Sequence, residues 1–344
     1  MKLIKTVDAV GHVLCHDITR IIPGKEKGPV FKKGHIVTEE DIPVLLSCGK
    51  ENLYVWEKDE SMYHENEAAE ILCGLCVGNS ENFVATEPSE GKIEIFAKND
   101  GLLKLNRKAL NEINSIGEII IATIHGDFPV KAGEKIAATR IIPLVIKKEN
   151  LEKAEKLCDA PVLEILEIKK PETAIITTGS EIKKGLVKDA FGPVLYSKLA
   201  EYNVPVISQT IVGDAKEEIV STAKKYLDEG AEMILISGGM SVDPDDNTPG
   251  AIKELGADII SYGAPVLPGA MMLVAYINHN GRRVPVLGLP GCVMYAKRTV
   301  FDLLLPRILA GEKLTKEDIS KYGEGGLCRN CSTCRFPDCG FGKQ

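Results

Sequence analysis

From Thr173 onward the chain alternates short apolar runs with amphipathic stretches, and this alternation restricts the fold more than any other feature. AIITT (174–178) is a continuous apolar run, as expected of a strand covered on both faces. Gly192-Pro193 opens a helix through Leu195 and Leu199, and VPVISQTIV (204–212) reads as the second strand. Asp214 to Glu229 is an amphipathic helix ended by Gly230. EMILIS (232–237) is the third strand, Thr248-Pro249 starts a short helix ended by Gly256, and VPVLGL (284–289) is the last clear strand. A long helix is expected from Gly291, kinked at Pro306. This βαβα order predicts a doubly wound α/β domain with a mainly parallel sheet over residues 171–312.

Residues 1–170 have another texture. GPVFKKGHIV (28–37) carries β-type turn chemistry, a helix is expected over Asp41–Ser47, and Leu53–Trp56 resembles a strand. His64 to Val77 has helical spacing, as has Leu105–Ile116. KIEIFA (92–97), EIIIAT (118–123) and KIAATRIIPLVI (135–146) are strand candidates, the last interrupted by Pro143. A charged helix, KKENLEKAEKL, and the alternating PVLEILEI form the link. This α+β region therefore precedes the α/β domain, and a short cysteine-rich tail, residues 313–344, follows it.

A chain of 344 residues has room for two domains and an appendage. Its 42 basic and 49 acidic residues give a net charge of −7 without a Lys/Arg block, so nucleic acid is not an expected partner. No run reaches membrane-spanning length, and MKLIKTVDAVG lacks the apolar core of a signal peptide. A cytoplasmic protein with no membrane partner is the expectation. Its ten cysteines then suggest reduced thiols or metal ligands rather than disulfides.

Four loops leave strand ends on one edge of the expected sheet, where ligands bind in such folds. TTGSEIKKGLVKDAFGP (177–193) offers the hydroxyls of Thr177, Thr178 and Ser180 beside Gly179, which suits a phosphate cradle. Asp189 either belongs to that cradle or caps the next helix. Asp214, followed by Glu217, resembles a capping box, and the alternative is a carboxylate facing the cleft. SGGMSVDPDDNTP (237–249) bares backbone at Gly238 and Gly239 and crowds Asp243, Asp245 and Asp246. Such crowding calls for a counter-cation, Mg²⁺ by ligand type, unless the loop is a solvated turn with Thr248 as helix cap. In GLPGCVMYAKR (288–298), Pro290-Gly291 makes a tight turn before a helix N-terminus suited to anions. Cys292 there is either a thiol of lowered pKa or a packed small residue. Neither a P-loop nor GxGxxG, HExxH or GxSxG occurs in a supporting context.

Together TTGSEI-x₂-G-x₃-D, Asp214 before its helix, SGGMSVDPDD-x-TP and GLPG resemble the molybdopterin-binding domain of molybdenum-cofactor biosynthesis. That domain is shared by the molybdopterin molybdotransferases and adenylyltransferases. The resemblance implies a three-layer α/β/α, MogA-like domain holding the pterin and its terminal phosphate. Asp214 and Asp246 become the implied catalytic pair, with Asp246 and Asp243 near Mg²⁺. The implied cofactor contacts are Thr178, Gly179, Ser180 and Asp189, then Gly238, Gly239, Ser241 and Thr248, then Pro290 and Gly291.

More loosely, VGHVLCHDIT (10–19) and VKAGEKIAATRIIPLVI (130–146) resemble the accessory region of a molybdotransferase. Three departures stand out. The Ser-x-x-Asp-Gly-Tyr-Ala stretch of that family is missing, Cys292 replaces the Asn after Pro-Gly, and the cysteine tail replaces a terminal β-barrel. The function implied is Mg-dependent insertion of molybdate into molybdopterin or its adenylylated form, by a homo-oligomer. The alternatives are a carrier that delivers finished cofactor to a client molybdoenzyme, and an ATP-dependent molybdopterin adenylyltransferase.

The tail spaces Cys328, Cys331, Cys334 and Cys339 as C-x₂-C-x₂-C-x₄-C, in a segment too short for a core of its own. A metal staple is expected, with an Fe–S cluster and Zn²⁺ both open. Cys73 and Cys76 read as buried small residues on one helical face, and His64, Glu65 and Glu67 as a polar helix start.

Overall fold

The computed structural model describes residues 2–22, 26–55, 60–244 and 246–343, so Trp56 and Asp245 lie outside the described residues. The chain forms two compact units, one of residues 1–99, 105–124 and 132–164, the other of residues 100–104, 125–131 and 165–344. No helix of the described residues is long and apolar enough to cross a membrane.

The first unit is built on an antiparallel sheet of Phe83–Ala85, Lys92–Ala97, Lys135–Ile141 and Ile119–Thr123, in that spatial order. Ile93, Ile95 and Ala97 alternate inward along one strand, as period-two spacing requires. Helix Glu65–Val77 packs on this sheet and buries Ala68, Ala69, Leu72, Cys73 and Cys76. Burial pushes both thiols up, Cys76 the further, which disfavours the thiolate and fits packing rather than redox chemistry. Pro143 falls between Lys135–Ile141 and Val145–Lys147, and the second of these strands pairs with Met62–His64. The helix expected from Leu105 begins instead at Arg107, because Leu105 ends the strand Gly101–Leu105 and Asn106 caps the helix.

His64 starts helix Glu65–Val77 through a reciprocal cap. Its own N–H donates to Glu67 Oε2 at 2.9 Å, and the Asn66 N–H approaches its Nδ1 at 3.4 Å. Lys33 Nζ lies 3.0 Å from that same Nδ1, and an ammonium has only donors to offer. Nε2 therefore carries the proton and donates to the Cys15 carbonyl at 2.7 Å. Burial, the largest cause, pulls His64 and nearby His16 below the ordinary imidazole value.

A depressed imidazole stabilises the fold fully above the unfolded pKa of about 6.5 and less as pH falls below it. Glu65 is pushed up by burial and acts in the opposite sense. The parent should therefore lose more stability between pH 7.5 and 5.5 than His16→Gln, a comparison that cancels Glu65. Denaturant midpoints at the two pH values give the measurement, and equal losses would remove His16 from the account.

The second unit holds a six-stranded sheet. Its strands are β1 (Thr173–Thr178), β2 (Val206–Val212), β3 (Met233–Ser237), β4 (Asp258–Tyr262), β5 (Leu273–His279) and β6 (Arg282–Leu289). The spatial order is β2-β1-β3-β6-β5-β4, with the first four strands parallel and β5 antiparallel to both of its neighbours, β6 and β4. Its helices are α1 (Ser180–Lys183), α2 (Phe191–Ala200), α3 (Lys216–Asp228), α4 (Thr248–Glu254), α5 (Val300–Leu309) and α6 (Lys316–Ser320). Successive residues of one strand enter different cores. Ile175, Leu235 and Leu287 join Leu195, Phe301 and Leu304, from α2 and α5. Ile176, Ile234 and Val286 join Ile219, Ala223 and Ile252, from α3 and α4. The sheet is thus covered on both faces, a three-layer α/β/α arrangement.

One expectation is corrected here. Gly291 opens only a 3₁₀ turn, Gly291–Met294, and α5 starts at Val300, where Thr299 and Asp302 form a capping box. The extended backbone of Thr299 separates the two, so no long helix runs from Gly291. The tail packs on the second unit. Phe341 is buried in the core shared by α2 and α5, with Phe336, Cys328 and Cys339 half-buried against it. Cys328 N–H donates to the Leu267 carbonyl at 2.8 Å, and the Arg298 guanidinium lies 5.1 Å over the Phe336 ring. Burying one phenylalanine contributes about 2 kcal/mol, so apolar anchors help to order this segment.

Candidate functional site

Because β1, β2, β3 and β6 run parallel, the loops that follow them emerge on one edge of the sheet. Hydrogen bonds then join the loops in series. Gly179 N–H donates to the Val212 carbonyl at 3.1 Å, and Ser180 N–H donates to Asp214 Oδ2 at 2.9 Å. Asn247 Nδ2 donates to the Asp214 carbonyl at 3.0 Å, which ties the second loop to the third. Gly238 N–H donates to the Leu289 carbonyl at 3.2 Å, at the root of the fourth.

Asp214 does not form the capping box its neighbour Glu217 suggested. α3 begins at Lys216 with Ala215 as its flanking residue and no side-chain cap. The Asp214 carboxylate reaches across to the first loop instead, while Glu218 accepts the Gly213 N–H at 2.9 Å and pairs with Lys183. Asp189 caps α2, accepting from Phe191 N–H at 2.8 Å and Gly192 N–H at 3.2 Å. Its other oxygen accepts from Gln209 Nε2 at 2.7 Å, and Gln209 also donates to Thr177 Oγ1 at 3.0 Å.

The Gly-Gly turn has left-handed backbone at both residues, φ 92° at Gly238 and 58° at Gly239. A Cβ on Gly238 would stand 2.6 Å from Thr178 Oγ1 and 2.7 Å from the Thr178 carbonyl, so only glycine fits. Thr248, fully buried, donates its hydroxyl to the Gly238 carbonyl at 2.8 Å and its N–H to the Gly239 carbonyl at 3.2 Å. Thr178 is 3% exposed, and its Oγ1 has no hydrogen-bond partner among the described residues. A buried hydroxyl left unpaired beside the turn is what a ligand would satisfy.

Asp246 is half-buried, and its N–H donates to the Asp243 carbonyl at 3.0 Å. Tyr262 donates to the Met240 carbonyl at 2.8 Å, and burial followed by the Asp246 charge pushes its phenol up. Asp243 and Ser241 are exposed on the same loop. Asp214 and Asp246 thus occupy adjacent loops joined through Asn247.

The fourth loop contributes less than its sequence promised. A four-residue 3₁₀ turn at Pro290-Gly291 lacks the aligned amides of an α-helix N-terminus. Burial raises the Cys292 thiol, so the lowered pKa is not found and the packed reading stands. Metal ligation by clustered protein side chains is also not found. Among the described residues no three His, Cys, Asp or Glu groups gather as a metal site, whether Asp243 with Asp246 or the tail cysteines. Cys331 and Cys334 are exposed, while Cys328 and Cys339 turn toward the apolar core, which keeps the four from converging.

Asn247, Gln209 and Tyr262 carry the rim's hydrogen bonds and were not singled out from the sequence. Asn247 filled a variable position between Asp246 and Thr248, and Gln209 looked like an ordinary polar residue of a strand.

The fold and rim define an α/β domain that offers bare backbone, a buried unpaired hydroxyl and two carboxylates at one sheet edge. Residues 174–310 match the family model described as "Probable molybdopterin binding domain", and residues 3–57 match one described as a domain of unknown function. The molybdopterin molybdenumtransferase of Staphylococcus epidermidis is 24% identical over 289 residues, 79% of this chain and 63% of its own length. The molybdenum cofactor biosynthesis bifunctional protein of Chlorobaculum tepidum is 29% identical over 160 residues, 43% of this chain and 49% of its own length. Among solved structures, the tungsten cofactor synthesizing protein MoaB from Pyrococcus furiosus aligns with 42% of this chain and 97% of its own, at 20% identity and a TM-score of 0.35. Residues 174–310 are thus similar to the molybdopterin-binding domain of molybdenum-cofactor biosynthesis proteins.

Proposed function

We propose that the rim binds molybdopterin, free or adenylylated, through its phosphate, and that the bound pterin receives molybdate there. One observation carries this reading: Asp214 and Asp246 stand on adjacent loops joined by Asn247, beside the Gly238–Gly239 turn and the unpaired Thr178 hydroxyl. The Gly239 amide and Thr178 Oγ1 bind the phosphate, the Gly238 N–H being already given to the Leu289 carbonyl. The two carboxylates are hard oxygen donors, which suits Mg²⁺, an ion that takes one or two carboxylates and completes its shell from phosphate and water. When bound, Mg²⁺ would neutralise phosphate charge. The chain's own part is positioning: Ser180 N–H fixes one Asp214 oxygen, and Thr248 holds the Gly-Gly carbonyls.

Asp214→Asn keeps the shape and the contact to Ser180 but removes a charge. Molybdate insertion should fall about 100-fold while pterin binding stays within a few-fold of the parent. The assay follows pterin retained on the full chain and molybdenum incorporated into it. A parent that binds no pterin would defeat the proposal. If the parent binds pterin without inserting molybdate, delivery of finished cofactor to a molybdoenzyme replaces insertion, and ATP consumption with molybdopterin would assign adenylyl transfer.

A further inference from the structure

We infer that the second unit carries a separate binding cavity for a small phosphate monoester, at the sheet edge opposite the rim. A cavity of about 330 Å³ lies there, near the lower end of the range of about 300–1,000 Å³ usual for small-molecule sites. Its position follows from the chain. Lys169 and Lys170 immediately precede β1, Glu232 precedes β3, and Arg283 and Pro285 belong to the first half of β6. Tyr276, opposite Pro285 in β5, and the residues closing α5 complete the walls.

The charge balance is uneven. The cavity's two acids are matched elsewhere, Glu312 by Arg307 at 2.6 Å and by Lys104, and Glu232 by the Glu172 N–H at 3.1 Å and Arg282 at 3.7 Å. None of those partners lines the cavity. Lys169, Lys170 and Arg283 meet no carboxylate among the described residues. Arg283 is held in place, 3.4 Å from the Gly311 carbonyl and 5.6 Å over the Tyr276 ring. One cation near the carboxyl end of α5 would be explained by the helix dipole. All three are solvent-exposed around one opening, where together they offer a multivalent anion several charged donors.

The Tyr276 hydroxyl is already engaged with Leu314 N–H and the Glu312 carbonyl. Recognition therefore falls to the cations, while Pro171, Pro285 and Ile308 offer apolar wall to the ester's organic part. This site is independent of the rim reading.

Phenyl phosphate is a suitable probe with the full chain. Calorimetric titration should show binding that weakens at least about tenfold in Lys169→Gln/Arg283→Gln. In the parent, the probe should shield Lys169 and Lys170 from an acetylating reagent, read by mass spectrometry, and leave Lys183 on the rim loop reactive. Unchanged affinity in the double variant, or shielding of Lys183 alone, would overturn the inference. The parent footprint keeps the test valid whatever the variant's stability.

Discussion

Gly238→Ala should lower the stability of the second unit by about 2–3 kcal/mol and abolish pterin retention. Two costs combine. A left-handed backbone penalises a β-carbon by about 1–2 kcal/mol, and here that atom would meet Thr178 Oγ1 at 2.6 Å and the Thr178 carbonyl at 2.7 Å. The hydroxyl could rotate away. The carbonyl has no such freedom, because β1 is hydrogen-bonded to β2 on one side and β3 on the other. The 238–248 loop must move instead, carrying Asp246 and Asn247 and breaking the link to Asp214. Gly281→Ala is the control: its φ is also left-handed at 76°, yet nothing lies within 4 Å of the added carbon. It should cost about 1 kcal/mol and leave pterin bound. Urea unfolding with pterin fluorescence checks both, and equal effects from the two substitutions would mean that the Thr178 contact contributes nothing.

The central strands β1 and β3 were legible because both of their faces are buried. AIITT and EMILIS read as continuous apolar runs, which few other environments produce. The edge hairpin of β4 and β5 was missed, although Asn280-Gly281, with φ 51° and 76°, is the strong two-residue turn signal joining β5 to β6. The Gly- and Pro-rich stretch SYGAPVLPGA between β4 and β5 hid it. Within the rim, spacing located Gly238, Gly239 and Asp214 on strand ends, but side-chain direction is set by tertiary contact. Nothing local says that Asp214 turns to Ser180 rather than to its own helix, or that Asp189 spends its oxygens on α2 and Gln209. The helix expected at Gly291 failed for a related reason. Thr299 with Asp302 is a capping box, and such a box marks a helix start nine residues into what had been read as one continuous helix.

Asp302→Ala should destabilise the fold by about 3–5 kcal/mol, the largest single effect expected from a side chain remote from the rim. Asp302 is 5% exposed and Lys198 6%. Both carboxylate oxygens receive Lys198 Nζ, at 2.6 and 2.8 Å, and they also accept from Arg298 at 2.9 Å and Thr299 N–H at 2.7 Å. Truncation removes the cap of α5 and leaves a buried ammonium with only the Lys297 carbonyl, 3.2 Å away. Lys198→Met should cost less, about 1–2 kcal/mol, because Arg298 and the Thr299 amide still hold the carboxylate. The pair also links α2, which follows the first rim loop, to α5, which follows the fourth. Lys198→Met/Asp302→Ala should therefore be less damaging than the sum of the single changes, since an apolar side chain replaces the stranded charge. Guanidinium unfolding of the three variants gives the coupling energy directly. Strict additivity would mean that the two charges are solvated independently and that α2 and α5 are held together by apolar packing alone.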